Sequence, residues 1–419
     1  MAEGLSADEP FEDGAEFRYD PFSIEAMTDP TVFYPTLRDH YPAYYLPQYD
    51  AWAISRFADV WDGFLDSENF TEAEGQIFDQ RRLLIHNDGV VPQPVIEPTV
   101  DIFNHIDGAL HTRFRQTLAP PFLKGNVAKL APQIEKLTRD RIVELRDRGR
   151  FDINADFASH VAAGSMCLIL GIPLDRVPDI IRLVNLGVAR EPGKPGFTKK
   201  GGEAIGQLHA MLVEIIARRR AGGGEPNRTL DALLSADLVG RPLSDGEIAR
   251  QMSTLLVGGS ETLPKIVSGG LLELSRRPDQ LAEIREDVET RAPQAFEEVL
   301  RFNAPAQWFG RTVKHDRDLA GVRLRAGQRV ILLIAAANRD RREFDRPDEF
   351  IWHRKARRLL SFGIGPHFCI GIHVARLEGQ IMLREFLHAF PRFTVDPAAG
   401  EFAVSEFQMG WTSLPAEIQ

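Results

Sequence analysis

The 419-residue chain holds two cysteines, Cys167 and Cys369, in very different company. Cys369 stands in Phe362-Gly363-Ile364-Gly365-Pro366-His367-Phe368-Cys369-Ile370-Gly371. Two glycines and a proline make that stretch a tight, irregular loop. A helical run from about Ile372 to Phe390 follows it, stopped by Pro391. The thiol therefore stands at a helix N-terminus, where backbone N–H groups and the helix dipole favour a thiolate. No base accompanies it, which argues against a nucleophile. A thiolate held by such donors suits a haem iron as its proximal ligand. Cys167, in Met166-Cys167-Leu168-Ile169-Leu170, reads instead as a small hydrophobe on a buried helix face.

A second chemical feature lies in the middle of a long helix. Ser244 and Glu247 form a capping box at its start. Ile248, Met252, Leu255, Leu256, Ile266, Val267 and Leu271 continue it at near-helical spacing, and Arg276-Arg277 close it before Pro278. Gly258 and Gly259 each weaken such a helix by about 1 kcal/mol. Pro264 frees the carbonyl of Ser260, and Ser260 and Thr262 can bond back to the backbone. A weak point in a helix long enough to cross the molecule suggests that something passes close to it.

Two further pairs share helix faces. Glu298 and Arg301 are three apart, and His111 and Arg115 are four apart. By spacing alone the first pattern is common and of weak specificity.

These groups need elements to position them. Helical patterns dominate from about Pro120 to Arg301 and again after Cys369, with strand-like runs near Ala51–Ser55 and Gly321–Ile334. The fold class is therefore mainly α with small β-sheets. Thr71 to Ile106 reads as a long loop with a short helix, and Arg190 to Gly202 as a break between helices. Residues 1–20 are expected to be a flexible tail and 21–419 one body, because no linker interrupts the pattern. The net charge of −10 argues against general nucleic-acid binding. No run of 18 apolar residues occurs and the acidic start is no signal peptide, so a cytoplasmic chain without a membrane anchor is expected. Two cysteines exclude a disulfide framework and a four-cysteine zinc site.

The cysteine loop resembles the haem-binding loop of the cytochrome P450 superfamily, Phe-Gly-x-Gly-x-His-x-Cys-x-Gly, at every fixed position, and Ala375-Arg376-x-Glu378 resembles its continuation. Gly258-Gly259-Ser260-Glu261-Thr262 resembles the family's oxygen-activation motif, with Gly258 in place of the usual alanine. Glu298-Val299-Leu300-Arg301 resembles Glu-x-x-Arg, and Arg354 its third partner, although the residues before Arg354 are less acidic than usual. Trp52 to Phe57, Asn338-Arg339-Asp340 and Gly410 to Pro415 are similar to further landmarks, so the likeness spans most of the chain.

That resemblance implies a soluble bacterial haem-thiolate monooxygenase, with haem b between a long distal helix and the cysteine loop. Cys369 would ligate the iron, and Phe362 and Gly363 would belong to the haem-holding loop. His111, Arg115, Arg311 and His367 would hold the propionates. Thr262 would hydrogen-bond bound dioxygen and a water, and Glu261 would deliver protons from solvent. The substrate pocket would draw on Thr71–Ile106, Leu255–Gly258, Ala306–Phe309 and Gln408-Met409, which suits a small or medium hydrophobic molecule. Arg81 and Arg82 are candidates for anchoring a carboxylate on it. No flavin or nicotinamide fingerprint is present. Electrons would come from an acidic ferredoxin and its NAD(P)H-dependent reductase, docking on a basic face that includes Arg113, Lys124, Arg341, Arg342, Lys355, Arg357 and Arg358. A peroxide-driven peroxygenase and a haem-thiolate sensor are the competing readings. The first predicts loss of the Glu261-Thr262 pair, and the second an attached output domain.

Overall fold

The computed structural model describes residues 17–419. Most of the expected tail lies outside the described residues, but Phe17 to Asp20 belong to the folded body. Tyr19 is buried, Phe17 stacks on Tyr41 at 5.1 Å, and the Tyr49 hydroxyl donates to Asp20 at 3.0 Å. Two aromatic side chains in four residues supply enough apolar surface to hold the segment down.

Helices predominate. The longest, Asp245–Ser275, spans 31 residues, or roughly 47 Å at 1.5 Å per residue. Both halves of the Ser244–Glu247 capping box form. Glu247 also accepts from Arg241 at 2.8 Å and from the Val100 N–H at 2.9 Å, tying the helix start to the long loop. Pro264 does not break the helix. The Thr262 hydroxyl bonds back to the Gly258 carbonyl at 2.8 Å, and that of Ser268 to the Pro264 carbonyl at 2.7 Å. The helix packs against Ser159–Leu170 and Lys199–Arg220, and helps to build two of three apolar clusters. The apolar segment Ile153–Leu170 has the length and composition of a membrane span, but 78% of it is buried inside the fold.

The third cluster forms around a five-stranded sheet, ordered Ala43–Leu46, Ala51–Ile54, Arg329–Leu332, Phe309–Val313 and Phe70–Thr71. The run expected as a strand over Gly321–Ile334 divides into Val322–Leu324 and Arg329–Leu332 around a turn at Gly327. The break after Arg190 is shorter than expected, because Thr198 caps a helix that begins at Lys199.

Candidate haem-thiolate site

The helix after the cysteine runs Ile372–Ala389, with Gly371 at its N-cap. It lies so close to the helix Val288–Phe302 that a Cβ on Gly379 would fall 1.9 Å from the Phe296 ring. The loop before it folds on itself. The Cys369 N–H donates to the Phe362 carbonyl at 2.8 Å, and the Gly363 N–H to the Leu360 carbonyl at 2.8 Å. Gly365, at φ +82°, sits against the Phe64 carbonyl, where an added Cβ would be 2.5 Å from the oxygen.

Glu298 anchors this loop from behind. Arg301 grips both carboxylate oxygens at 2.7 and 2.8 Å, and Arg354 reaches Glu298 at 3.0 Å. The side chains of Glu298 and Arg301 are fully buried. Arg301 also donates to the Asn338 carbonyl at 2.9 Å. The Asn338 side chain in turn accepts from the Leu360 N–H at 3.0 Å and donates to Ser361 at 2.8 Å. The chain from Glu298 through Arg301 and Asn338 thus ends on the cysteine loop. Sequence reasoning saw its two ends and missed Ser361, which has no motif of its own.

Cys369 opens into a pocket with a cavity volume of about 240 Å³. Phe103, Met166, Leu255, Leu263, Ile266 and Phe309 supply much of its apolar wall. Thr254, Gly258, Gly259 and Thr262 from the long helix line it too. A Cβ on Gly258 would meet nothing within 4 Å, so the glycine there leaves open space. Cys167 is buried elsewhere, its thiol pushed up to about 12 by burial.

Desolvation raises the Cys369 pKa, and the Gly371 N–H, Arg115 and Arg376 lower it. Coordination to a metal cation deprotonates a thiol outright.

Arg115, Arg311 and His367 also line the pocket. Arg115 lies over the Phe368 ring at 4.4 Å and donates to the Phe368 carbonyl. The His111 ring stacks on His367 at 3.9 Å, and its Nε2 is buried with no partner. An accessible thiol and three cationic or imidazole side chains around one apolar cavity fit an iron porphyrin with two carboxylates, whereas His111 does not line the pocket and reaches it only through its stacking on His367. Two acids that sequence reasoning missed share this edge. Glu72 meets Arg311 at 2.5 Å and His367 at 3.1 Å, and Asp107 meets His367 at 3.1 Å.

Several expected residues lie elsewhere. Glu261 is buried outside the pocket wall, bonded to Lys265 and, at 2.6 Å, to Gln408. The acid expected to communicate with solvent is enclosed, because a lysine one turn on reaches back to it. Gln408 is consequently drawn away from the pocket it was expected to line, and Met409 packs against the Tyr34 hydroxyl. Within Ala306–Phe309, Ala306 and Phe309 line the pocket, whereas Trp308 is fully buried and donates to the Glu406 carbonyl. Arg81 and Arg82 are exposed outside the pocket, on the short helix Gln80–Leu83.

The expected basic face divides. Lys355, Arg357 and Arg358 surround a groove floored by Trp61, Phe362 and Phe368, with Arg354 and Arg376 beside them. Phe362, Gly363 and Phe368 line both this groove and the cysteine pocket. Lys124 acts on the nearby His373, as does Arg376. Arg341 and Arg342 lie outside the groove, engaged with Asp39 at 3.2 and 3.4 Å, and Arg358 within it is paired with Glu343. Arg113 is exposed outside the groove.

The comparisons agree with this geometry. The family model for cytochrome P450 matches residues 195–418. The chain is 30% identical over 409 residues to "Putative cytochrome P450 123" of Mycobacterium tuberculosis, covering 96% of this chain and 98% of that protein. Among solved structures, cytochrome P450 CREJ in complex with (4-ethylphenyl) dihydrogen phosphate superposes with a TM-score of 0.82 at 26% identity, covering 96% of this chain and 99% of that one. A mutant of P450 EryK in complex with erythromycin B gives 0.79 at 28% identity, over 94% and 97% of the two chains. A matched family model, a full-length relative and a shared fold around the cysteine loop lead to one conclusion: this chain belongs to the cytochrome P450 family and is a haem-dependent monooxygenase.

Proposed function

We propose that the chain hydroxylates or epoxidises a small-to-medium hydrophobic molecule with dioxygen, acting in the cytoplasm with electrons from an acidic ferredoxin and its reductase. The observation that carries this reading is the Cys369 thiol opening into the same apolar pocket that Gly258 and Thr262 line. The bound haem would supply dioxygen binding and oxygen transfer, with Cys369 as iron ligand and Phe362 and Gly363 in the loop beneath. His111, Arg115, Arg311 and His367 would hold its carboxylates.

The chain's own residues then have separable tasks. The apolar wall excludes water and offers a carbon skeleton little to hydrogen-bond with, so shape selects the substrate. The Thr262 hydroxyl, now bonded to the Gly258 carbonyl, holds a water at the pocket face. Glu261 moves protons towards that water after parting from Lys265. The groove beneath Phe362 and Phe368 presents Lys355, Arg357 and Arg358 to an acidic protein, which raises encounter rates and fixes orientation.

The test is a carbon monoxide difference spectrum of the dithionite-reduced protein. The red-shifted band of thiolate ligation is expected in the wild type and its loss in Cys369→Ala. A histidine-type band from well-folded wild-type protein would end the reading.

A further inference from the structure

The register of the sheet brings Glu72 beside Arg311, which lines the cysteine pocket. Phe70 pairs with Val313 and Thr71 with Thr312, so the next residue, Glu72, falls beside Arg311. Its carboxylate is 2% exposed at the residue level and spans two basic side chains. Oε1 lies 2.5 Å from Arg311 Nη2, and Oε2 lies 3.1 Å from His367 Nδ1 and accepts from Gln76. The other nitrogen of His367 faces Asp107 at 3.1 Å. Asp107 is itself fixed by the Thr71 hydroxyl and by the Glu72 N–H at 3.1 Å.

This arrangement has a proton count. One imidazole carries at most one positive charge, so His367 cannot balance both Glu72 and Asp107 when the two are ionised. The haem would add two more carboxylates against the same Arg311, His367 and Arg115. His111 brings no positive charge, because burial, with His367 and Arg115 beside it, lowers it to about 4. Asp107 does not yield: burial opposes its charge, but His367 and Thr71 hold it down to about 2. Glu72 is the acid on which burial prevails over Arg311, His367 and Gln76, with Asp107 adding to the rise.

We propose that Glu72 is a positioning residue at the carboxylate edge of the haem site, which orients Arg311 and His367 and takes up a proton when haem binds. This rests on the haem reading above. An uncharged Glu72 can still hold Arg311 in line through its carbonyl oxygen, while leaving the positive charge of Arg311 for a propionate. Without the proton, four carboxylates would crowd two guanidinium groups and one imidazole in a buried space, which is unfavourable. Haem retention in this chain therefore falls as pH rises through the region where Glu72 ionises.

The experiment compares holoenzyme with holo Glu72→Gln, a variant that keeps the shape of the protonated acid. Haem partition to a scavenger protein of known affinity is followed from pH 5 to pH 9. Taking the ratio of the two affinities cancels the proton that Cys369 loses to the metal in both proteins. The ratio should be near one at the acid end and move in favour of Glu72→Gln by up to about tenfold per pH unit, the limit for one linked proton. Infrared difference spectra of the two holoproteins should assign a protonated-carboxyl stretch to the wild type alone. If Glu72→Gln does not fold, Glu72→Ser, checked by circular dichroism, serves the same comparison. A flat ratio, or weaker haem retention in the variant at every pH, would overturn the proposal. Failure of the wild type to bind haem would remove this proposal and the haem reading together, whereas a thiolate band with a flat ratio would remove this proposal alone.

Discussion

Lys265 neutralises Glu261 from one turn further along the same helix, and both side chains are 5% exposed. Gln408 completes the arrangement from the C-terminal segment. Removing one partner of a buried pair leaves an uncompensated charge, at about 3–5 kcal/mol. Lys265→Met should therefore lower unfolding stability by about that amount, and Glu261→Gln in addition should recover most of it. Chemical denaturation of the two single variants and the double variant checks this, and additive losses would show that the pair is not coupled.

Thr262 sits on the pocket wall while Glu261 does not. With a surrogate ferredoxin system, Thr262→Ala should keep consuming oxygen but release peroxide in place of product. Parallel assays of NADPH, peroxide and product measure the split. Unchanged coupling would take Thr262 out of proton handling.

Glu298 is the carboxylate that Arg301 and Arg354 share. Glu298→Gln abolishes the charge that Arg301 and Arg354 share and leaves the fully buried Arg301 unbalanced. A loss of about 3–5 kcal/mol is expected, with reduced haem content on purification because Asn338 transmits the disorder to Leu360 and Ser361. Urea unfolding and haem-to-protein ratio check both parts.

Acid should act early on the start of the long helix. Hydrogen bonds from Arg241, opposed by burial and aided by the Val100 and Ser244 N–H groups, hold the Glu247 carboxyl well below the ordinary range. A depressed folded-state pKa contributes stability fully present above the unfolded value, about 4.3, and lost as pH falls below it. Glu247→Gln should cost about 1.5–3 kcal/mol at pH 7 and less at pH 3. Equal losses at the two pH values in denaturation experiments would exclude this linkage.

Gly365 cannot readily accept a side chain. Its φ is +82° and an added Cβ would lie 2.5 Å from the Phe64 carbonyl. Gly365→Ala should displace the loop that carries Cys369 and reduce the thiolate-type carbon monoxide band more than it lowers the melting temperature. Gly258→Ala is the control: nothing lies within 4 Å of that Cβ, so the fold should be unaffected.

The family, the cysteine loop and the long helix were legible from residue types at short spacings. Phe362 to Gly371, Gly258 to Thr262 and Glu298 with Arg301 are local patterns whose backbone consequences follow from turn chemistry and helical period. The capping box formed as read because its two partners are three residues apart. Tertiary structure alone decided which charges meet across the fold. Glu72 reaches Arg311 through strand register and His367 through a loop 295 positions away in sequence terms (367 − 72). Gln408 was drawn to Glu261 and away from the pocket by Lys265, and Arg341 and Arg342 were taken up by Asp39. The strength of a charge depends on burial and on its nearest partner, and neither is written in the spacing of one segment.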